Sequence, residues 1–232
     1  MKKIISFSFW GDDPKYLQGA VENARLAKEF YPDWECWFHV SGHCEETPVL
    51  EPYLQQIREV NELSRIISME ARGDWRGMFW RFLPVCQNKF DAVILRDTDS
   101  RLSEREALAV QEWLDSDKGF HIMRDHPYHG TQILGGMWGM KKDCLPIFRD
   151  LMSAWNQEDR WQTDQDFLKA VVYPRVVDDA MVHDEFFALE SHRLPFPTER
   201  DGCNFVGQVF EADGSTPQDH IQPLAEYLMR RK

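Results

Sequence analysis

The sequence predicts an α/β fold, a mostly parallel central sheet flanked by helices in one Rossmann-like domain. Three observations predict it. Apolar strand-like runs alternate with amphipathic helix-like segments through the first two thirds of the chain, the signature of a layered α/β architecture. The strongest strand candidate, Phe90 to Leu95, runs directly into charged residues, as strands of open α/β sheets do at their ligand-binding ends. The chain has 232 residues with 43% hydrophobic and 28% charged, enough to bury a full core without disulfide or metal staples.

The elements follow in order. Ile4 to Phe9 is a continuous apolar strand. Asp13 then caps a helix with Pro14 at its first position, where a missing N–H costs nothing, and Leu17, Val21, Ala24 and Lys28 recur at helical spacing. Trp34 to Val40 and Arg65 to Met69 are the next strands, and Asp74 to Gln87 reads as a helix rich in aromatics and arginine. After Phe90 to Leu95, Ser103 and Glu106 form a capping box, with Leu102 and Ala107 as its staple. Phe120 to Met123 is a further strand. Thr163 is expected to cap a helix containing Phe167, Leu168, Val171 and Val172 that Pro174 stops. The chain after Pro195 reads as a loop-rich tail. No repeat or linker interrupts it, so residues 1–232 are expected to form one domain, with a nucleotide-binding half at 1–100 and an acceptor-side half at 101–232.

Charge and cysteine usage narrow the function. Lys and Arg number 27 against 39 Asp and Glu, a net charge of −12, which argues against a nucleic-acid binder because phosphate backbones reward clustered cations. An acidic protein that handles phosphates must recruit a cation or place a few arginines well. No apolar run approaches the ~20 residues of a membrane span, and the N-terminus reads as a strand rather than a signal peptide. Five widely spaced cysteines (Cys36, Cys44, Cys86, Cys144, Cys203) read as reduced, mostly buried thiols, so a cytoplasmic location is expected. The terminal Arg230-Arg231-Lys232 offers at most a weak peripheral contact with an anionic membrane face.

Three motifs can carry chemistry. Asp97 and Asp99 follow the Phe90 to Leu95 strand at i and i+2, which places both carboxylates on one face, able to meet one hard cation. Gly135-Gly136 precedes an apolar segment, allowing close backbone approach or positive φ. Asp164-Gln165-Asp166 opens a helix; capping accounts for Asp166 but does not require the Asp164-Gln165 pair. The motifs GxxxxGK[ST], GxGxxG, HExxH and GxSxG do not occur.

The order strand-DxD, Gly-Gly-strand, Asp-Gln-Asp resembles the GT-A nucleotide-sugar glycosyltransferases over roughly residues 1 to 185, nearest in layout to the retaining enzymes of glycosyltransferase family 8. Gly-Gly-Met-Trp stands where Asn-Ala-Gly is more usual. The resemblance implies that Asp97 and Asp99 hold Mn²⁺ or Mg²⁺ across the diphosphate of a nucleotide-sugar donor, with a UDP-sugar expected. It implies that Trp10, Gly11 and Asp12 contact nucleobase and ribose, that Gly135 and Gly136 line the sugar-diphosphate pocket, and that Arg81 lies near the donor. Asp164 would bind sugar hydroxyls with Gln165 near the anomeric carbon. His183, ahead of His192 or His220, would complete the metal site, and Arg200 would close over the diphosphate. The implied reaction transfers the sugar to a glycan or glycolipid acceptor, its stereochemistry open: an inverting enzyme would need Asp164, Asp166 or Glu185 as base. Two rivals remain at this point. One is a haloacid-dehalogenase-like phosphohydrolase with Asp97 as nucleophile; the other is a non-catalytic sugar-nucleotide or glycan binding module.

Overall fold

The computed structural model describes residues 1–43 and 47–230; Cys44 and the Arg231-Lys232 part of the basic end lie outside them. Seven strands form one mixed sheet: β1 (Lys3–Phe9), β2 (Trp34–Ser41), β3 (Ser64–Met69), β4 (Ala92–Leu95), β5 (Phe120–Arg124), β6 (Trp138–Lys141) and β7 (Ala180–Asp184). Their order across the sheet is β3-β2-β1-β4-β6-β5-β7. All pairings are parallel except those of β6, which runs antiparallel to both β4 and β5. The fold class predicted from alternation alone is the one observed.

The helices are α1 (Pro14–Phe30), α2 (Thr47–Val60), α3 (Leu83–Gln87), α4 (Glu104–Asp115), α5 (Phe148–Ala154), α6 (Thr163–Phe167), α7 (Tyr173–Val176) and α8 (Gln218–Arg230). Two cores lie on opposite faces of the sheet. One packs α1, α2 and α4 over Ile5, Phe7, Phe38 and Ile94; the other packs Phe82, Phe148 and Phe167 over Val93, Leu95 and Trp138. Central strands β1 and β4 bury every side chain or nearly so, which is why they read as unbroken apolar runs rather than alternating ones.

Asp13 caps α1 as expected, its carboxylate accepting from Lys15 N–H, with Pro14 in the first turn. Four local expectations are corrected. Asp74 caps a 3₁₀ helix, Trp75–Phe82, before the chain becomes α-helical at α3. Ser103 accepts from Glu106 N–H at 3.3 Å, but the Glu106 carboxylate does not reach back. It is buried against Arg96 Nε at 2.6 Å and Tyr31 Oη at 3.0 Å, because a buried guanidinium competes for it more strongly than an amide does. Thr163 lies inside α6 rather than capping it; the cap position is Gln162, at φ +63°. Pro174 does not stop the helix: a π-helical turn at Leu168–Val172 precedes it, and Pro174 occupies the first turn of α7, where no N–H is needed. Helices α2, α5 and α8 were not anticipated.

Candidate active site

The carboxyl ends of β1 and β4 lie side by side, Ser6 in register with Leu95. Here the sheet order diverges, to β2 and β3 on one side and to β6, β5 and β7 on the other. Ligands of open α/β sheets bind at such a switch point. A cleft of about 810 Å³ opens there, bringing Trp10, Gly11, Asp12, Arg81, Asp97, Asp99, Gly135, Asp164 and Gln165 together. These residues come from the ends of β1 and β4, the 3₁₀ helix, the loop before β6 and the start of α6.

The two aspartates owe their position to what surrounds them. Arg96, one residue out of phase, turns into the protein, donating to Glu106, Leu95 O and Trp138 O. The Asn23 amide on α1 clamps the following turn: Nδ2 donates to Thr98 O at 3.2 Å and Ser100 O at 2.8 Å, and Oδ1 accepts from Leu102 N–H at 3.0 Å. Gly19 on the same helix leaves room for this turn, since a Cβ there would overlap the Thr98 carbonyl. Nothing local in the sequence marks Asn23 for this clamp, because its partners lie 75 to 79 residues away.

Arg81 is the hub. Its Nη1 donates to Asp97 Oδ1 at 2.6 Å and its Nη2 to Asp164 Oδ2 at 2.5 Å. Gly135 and Gly136 pass directly over this bridge. A Cβ on Gly135 would lie 2.5 Å from Asp164 Oδ2, and one on Gly136 would overlap Asp97 Oδ2. Neither glycine needs positive φ; both are required by close approach. The cluster is only partly satisfied. Asp164 is 1% exposed, yet its Oδ1 has no partner, and neither do Arg81 Nε or Thr98 Oγ1. A buried unpaired carboxylate oxygen is costly, and burial pushes the Asp164 pKa upward against the pull of Arg81. Asp99 has Lys15 Nζ at 3.8 Å. Burial, then the charge of Asp97, raise its pKa to about 6, with Lys15 opposing.

Trp10 is wedged over Gly73 and Gly77, where a Cβ would overlap its indole, and it meets Trp80 edge to face at 5.9 Å. Gly11 follows at φ +74°, a left-handed turn that keeps the next residues at the cleft edge.

Two predicted site residues lie elsewhere. His183 projects from β7 away from the cleft, and both its ring nitrogens are engaged: Nδ1 with His121 Nε2 at 2.8 Å and Nε2 with Glu112 Oε2 at 3.0 Å. It is not positioned to join Asp97 and Asp99. Arg200 does not close over the cleft. It is held with Arg105 by Asp125 and Glu185, its Nη1 also donating to Asn204 O at 2.9 Å. Ion pairing in a sealed site outcompetes a solvent-facing role.

Other residues complete the lining. Tyr16, Trp75, Met78, Asp159 and Gly207 carry no motif in the sequence, whereas His129 belongs to the His126-Pro127-Tyr128-His129 loop, which the sequence offers as a face for an acceptor glycan. His129 accepts from Asp125 N–H through Nδ1 at 3.1 Å, and burial lowers its pKa to about 3. It is a neutral imidazole whose remaining nitrogen carries the proton, a donor rather than a metal ligand. Its place in a His-Pro-Tyr-His loop was visible; its direction was not. The chain after β7 returns over the site: Phe210 N–H donates to Asp99 O at 2.8 Å, Val206 N–H to Asp125 Oδ2 at 2.8 Å, and Val209 bridges to Ser100.

Asp97 and Asp99 offer two oxygen ligands of the kind a hard cation takes, and among the described residues no group of three or more His, Cys, Asp or Glu forms a metal cage. Asp97 keeps Oδ2 free of protein partners beneath the Gly136 backbone, and both carboxylates face one space. Among the residues lining the cleft, seven are aspartates, and Arg81 is the one permanently charged cation. Such a pocket repels a diphosphate unless a divalent cation comes with it.

The sequence matches no protein-family profile and no curated protein. Solved structures do match. A glycosyltransferase involved in glycosylation of the major capsid of PBCV-1 superposes with a TM-score of 0.52 at 13% identity, over 79% of this chain and 82% of that one. The fold is that of the GT-A glycosyltransferases. A mannosyltransferase from Pyrobaculum calidifontis, solved with GDP-Man and Mn²⁺, gives 0.52 at 12% identity over 82% of this chain and 57% of that one. A glucosyl-3-phosphoglycerate synthase from Mycobacterium tuberculosis, solved with Mg²⁺ and UDP, gives 0.50 at 11% identity over 98% and 76%. At these identities the likeness establishes the fold.

Proposed function

We propose that this chain is a metal-dependent glycosyltransferase that moves a sugar from a nucleotide diphosphate donor, a UDP-sugar, to a glycan or glycolipid acceptor. The observation that carries the reading is the Asp97–Arg81–Asp164 bridge beside Asp99, at the switch point of a GT-A sheet and in an acidic cleft.

Asp97 and Asp99 would hold the Mn²⁺ or Mg²⁺, which supplies charge neutralisation of the departing diphosphate. Trp10 and Asp12 edge the nucleoside end of the cleft. Arg81 holds Asp97 and Asp164 at fixed separation, so no side-chain reorganisation is needed as charge develops. The unpartnered Asp164 Oδ1 is an acceptor waiting for a sugar hydroxyl, and Gln165 next to it would face the anomeric centre. His129 offers its ring N–H to the same space. Of the three carboxylates that could act as a base, Asp166 is tied to Arg160 and Glu185 to Arg105 and Arg200, so Asp164 is the one in the cleft. In the family 8-like layout the anomeric configuration is retained, and Asp164 then serves as positioning group alone. The phosphohydrolase alternative is disfavoured because Asp97, its nucleophile, is pinned by Arg81 at 2.6 Å.

Isothermal titration of UDP with and without Mn²⁺, repeated on Asp99→Asn, tests the reading. Binding should require the cation and be lost in the variant. Equal binding without cation, or none with any nucleoside diphosphate, would refute it.

A further inference from the structure

The nine tryptophans of this chain are not distributed evenly between core and surface. Most are buried or half-buried; only Trp75 and Trp161 are exposed, at 43% and 64%, and both stand on the wall of the same cleft. They are held near each other, since Trp75 N–H donates to Asp159 Oδ1 at 3.0 Å and Asp159 lies two residues before Trp161. Leaving two indoles in water forfeits hydrophobic stabilisation of the kind that the other tryptophans gain. Their place is set by short, specific structure: Asp74 caps the turn that carries Trp75, and the left-handed Gln162 follows Trp161 on the way to Asp164 and Gln165. Trp161 is therefore on the Gln165 side of the cleft, where the acceptor must arrive.

The charges around these rings are as informative. Asp74 and Asp159 line the wall with them, while the nearby guanidiniums are committed: Arg76 to Asp74, and Arg160 to Glu158 and Asp166. Neither arginine lines the cleft. The one lining cation, Arg81, is consumed by two carboxylates on the floor.

We propose that Trp75 and Trp161, with Asp74 and Asp159, form the acceptor subsite, and that it takes the uncharged pyranose end of a glycan while rejecting phosphorylated or carboxylated acceptors. The proposal rests on the transferase reading and narrows it. The indoles cover the apolar C–H face of the sugar ring, and the carboxylate oxygens accept from its hydroxyls. An anionic acceptor would enter a wall that presents Asp159 and an Asp74 already held by Arg76, with no free cation lining the cleft to meet it.

The test uses the full chain loaded with UDP and Mn²⁺. A panel of neutral methyl hexosides and disaccharides, and the matching hexose 6-phosphates and glycerol 3-phosphate, are titrated by tryptophan fluorescence and calorimetry. At least one neutral glycoside should bind and shift the emission, with each phosphorylated counterpart about tenfold weaker or worse. Trp161→Ala should weaken the neutral ligand about tenfold, the worth of one stacked ring, and leave UDP affinity within about twofold. Trp161→Phe should restore part of it. Phosphorylated acceptors binding as tightly as neutral ones, no neutral glycoside binding, or loss of UDP affinity in Trp161→Ala would each overturn the proposal, the last by making the ring a nucleobase platform. If UDP and Mn²⁺ do not bind the parent protein, it is the transferase reading that fails instead.

Discussion

Two clusters of buried charge sit within one molecule and are built to opposite ends. Around β5 and β7, Arg105 and Arg200 meet Asp125 and Glu185, while Arg124 meets Asp184 and Glu190. Tyr173 Oη adds a 2.7 Å bond to Glu190, and Phe186 and Phe187 N–H donate to Asp184. This region is sealed and its acceptors are occupied. At the ends of β1 and β4, three carboxylates share Arg81 and a more distant Lys15, and Asp164 keeps an unused oxygen. The first cluster holds two return segments against the sheet; the second is left short of positive charge. The lesson is that ion pairs alone do not mark a functional site. A deficit of pairing facing a cleft does.

The comparison can be broken most severely from the closed side. Arg124→Met strands Asp184 and Glu190 in the interior and should cost about 3–5 kcal/mol of stability, read from urea denaturation midpoints. The open side should respond in the reverse sense. Asp99→Asn should lose cation-dependent UDP binding about a hundredfold or more, yet denature at the same or higher urea. Its pKa, raised to about 6, means that at neutral pH the carboxylate stays largely ionised at a cost to the folded state relative to the unfolded chain, and the amide removes that cost. Gly19→Ala pushes a methyl group into the Thr98 carbonyl and should cost about 1–3 kcal/mol, with a weakened UDP affinity that a generic α1 defect such as Ala20→Gly does not produce.

The smallest effect is spread over pH. Burial lowers the His39 pKa to about 4 and that of His129 to about 3. Both therefore lie below the unfolded value, near 6.5. Stability is fully present above that value and falls as acid protonates the unfolded chain first, by about 1.4 kcal/mol per pH unit for each histidine. Urea midpoints from pH 7 to 5 should show it, and His39→Gln should flatten the slope by about one proton. An unchanged slope would mean that His39 is not neutral in the fold.

Much of the fold was legible because it depends on local signals. Strands β1 and β4 carry unbroken apolar runs, and Asp13-Pro14 marks the α1 boundary within a residue. The site was legible in part. Asp97, Asp99, Arg81 and Asp164 are all in the cleft, because strand ends and helix starts in this topology converge there. His183 failed because apolar lead-in says where a strand ends but not which face its histidine takes. Arg200 failed because its partner Asp125 lies 75 residues away in sequence, and such a pairing leaves no local trace. Helix α8 was obscured by the loops before it, and the exposed Trp75 by a composition in which tryptophan usually means core.

The returning segment has one further consequence, for the order in which the protein becomes competent. Every strand is complete by Asp184, but the backbone bonds from Val206 and Phe210 that close the cleft edge come more than twenty residues later. During synthesis the sheet can assemble while the cleft is still unfinished. A nascent chain is thus a folded scaffold before its cleft is complete, and a cleavage between Pro195 and Phe205 would separate the two stages.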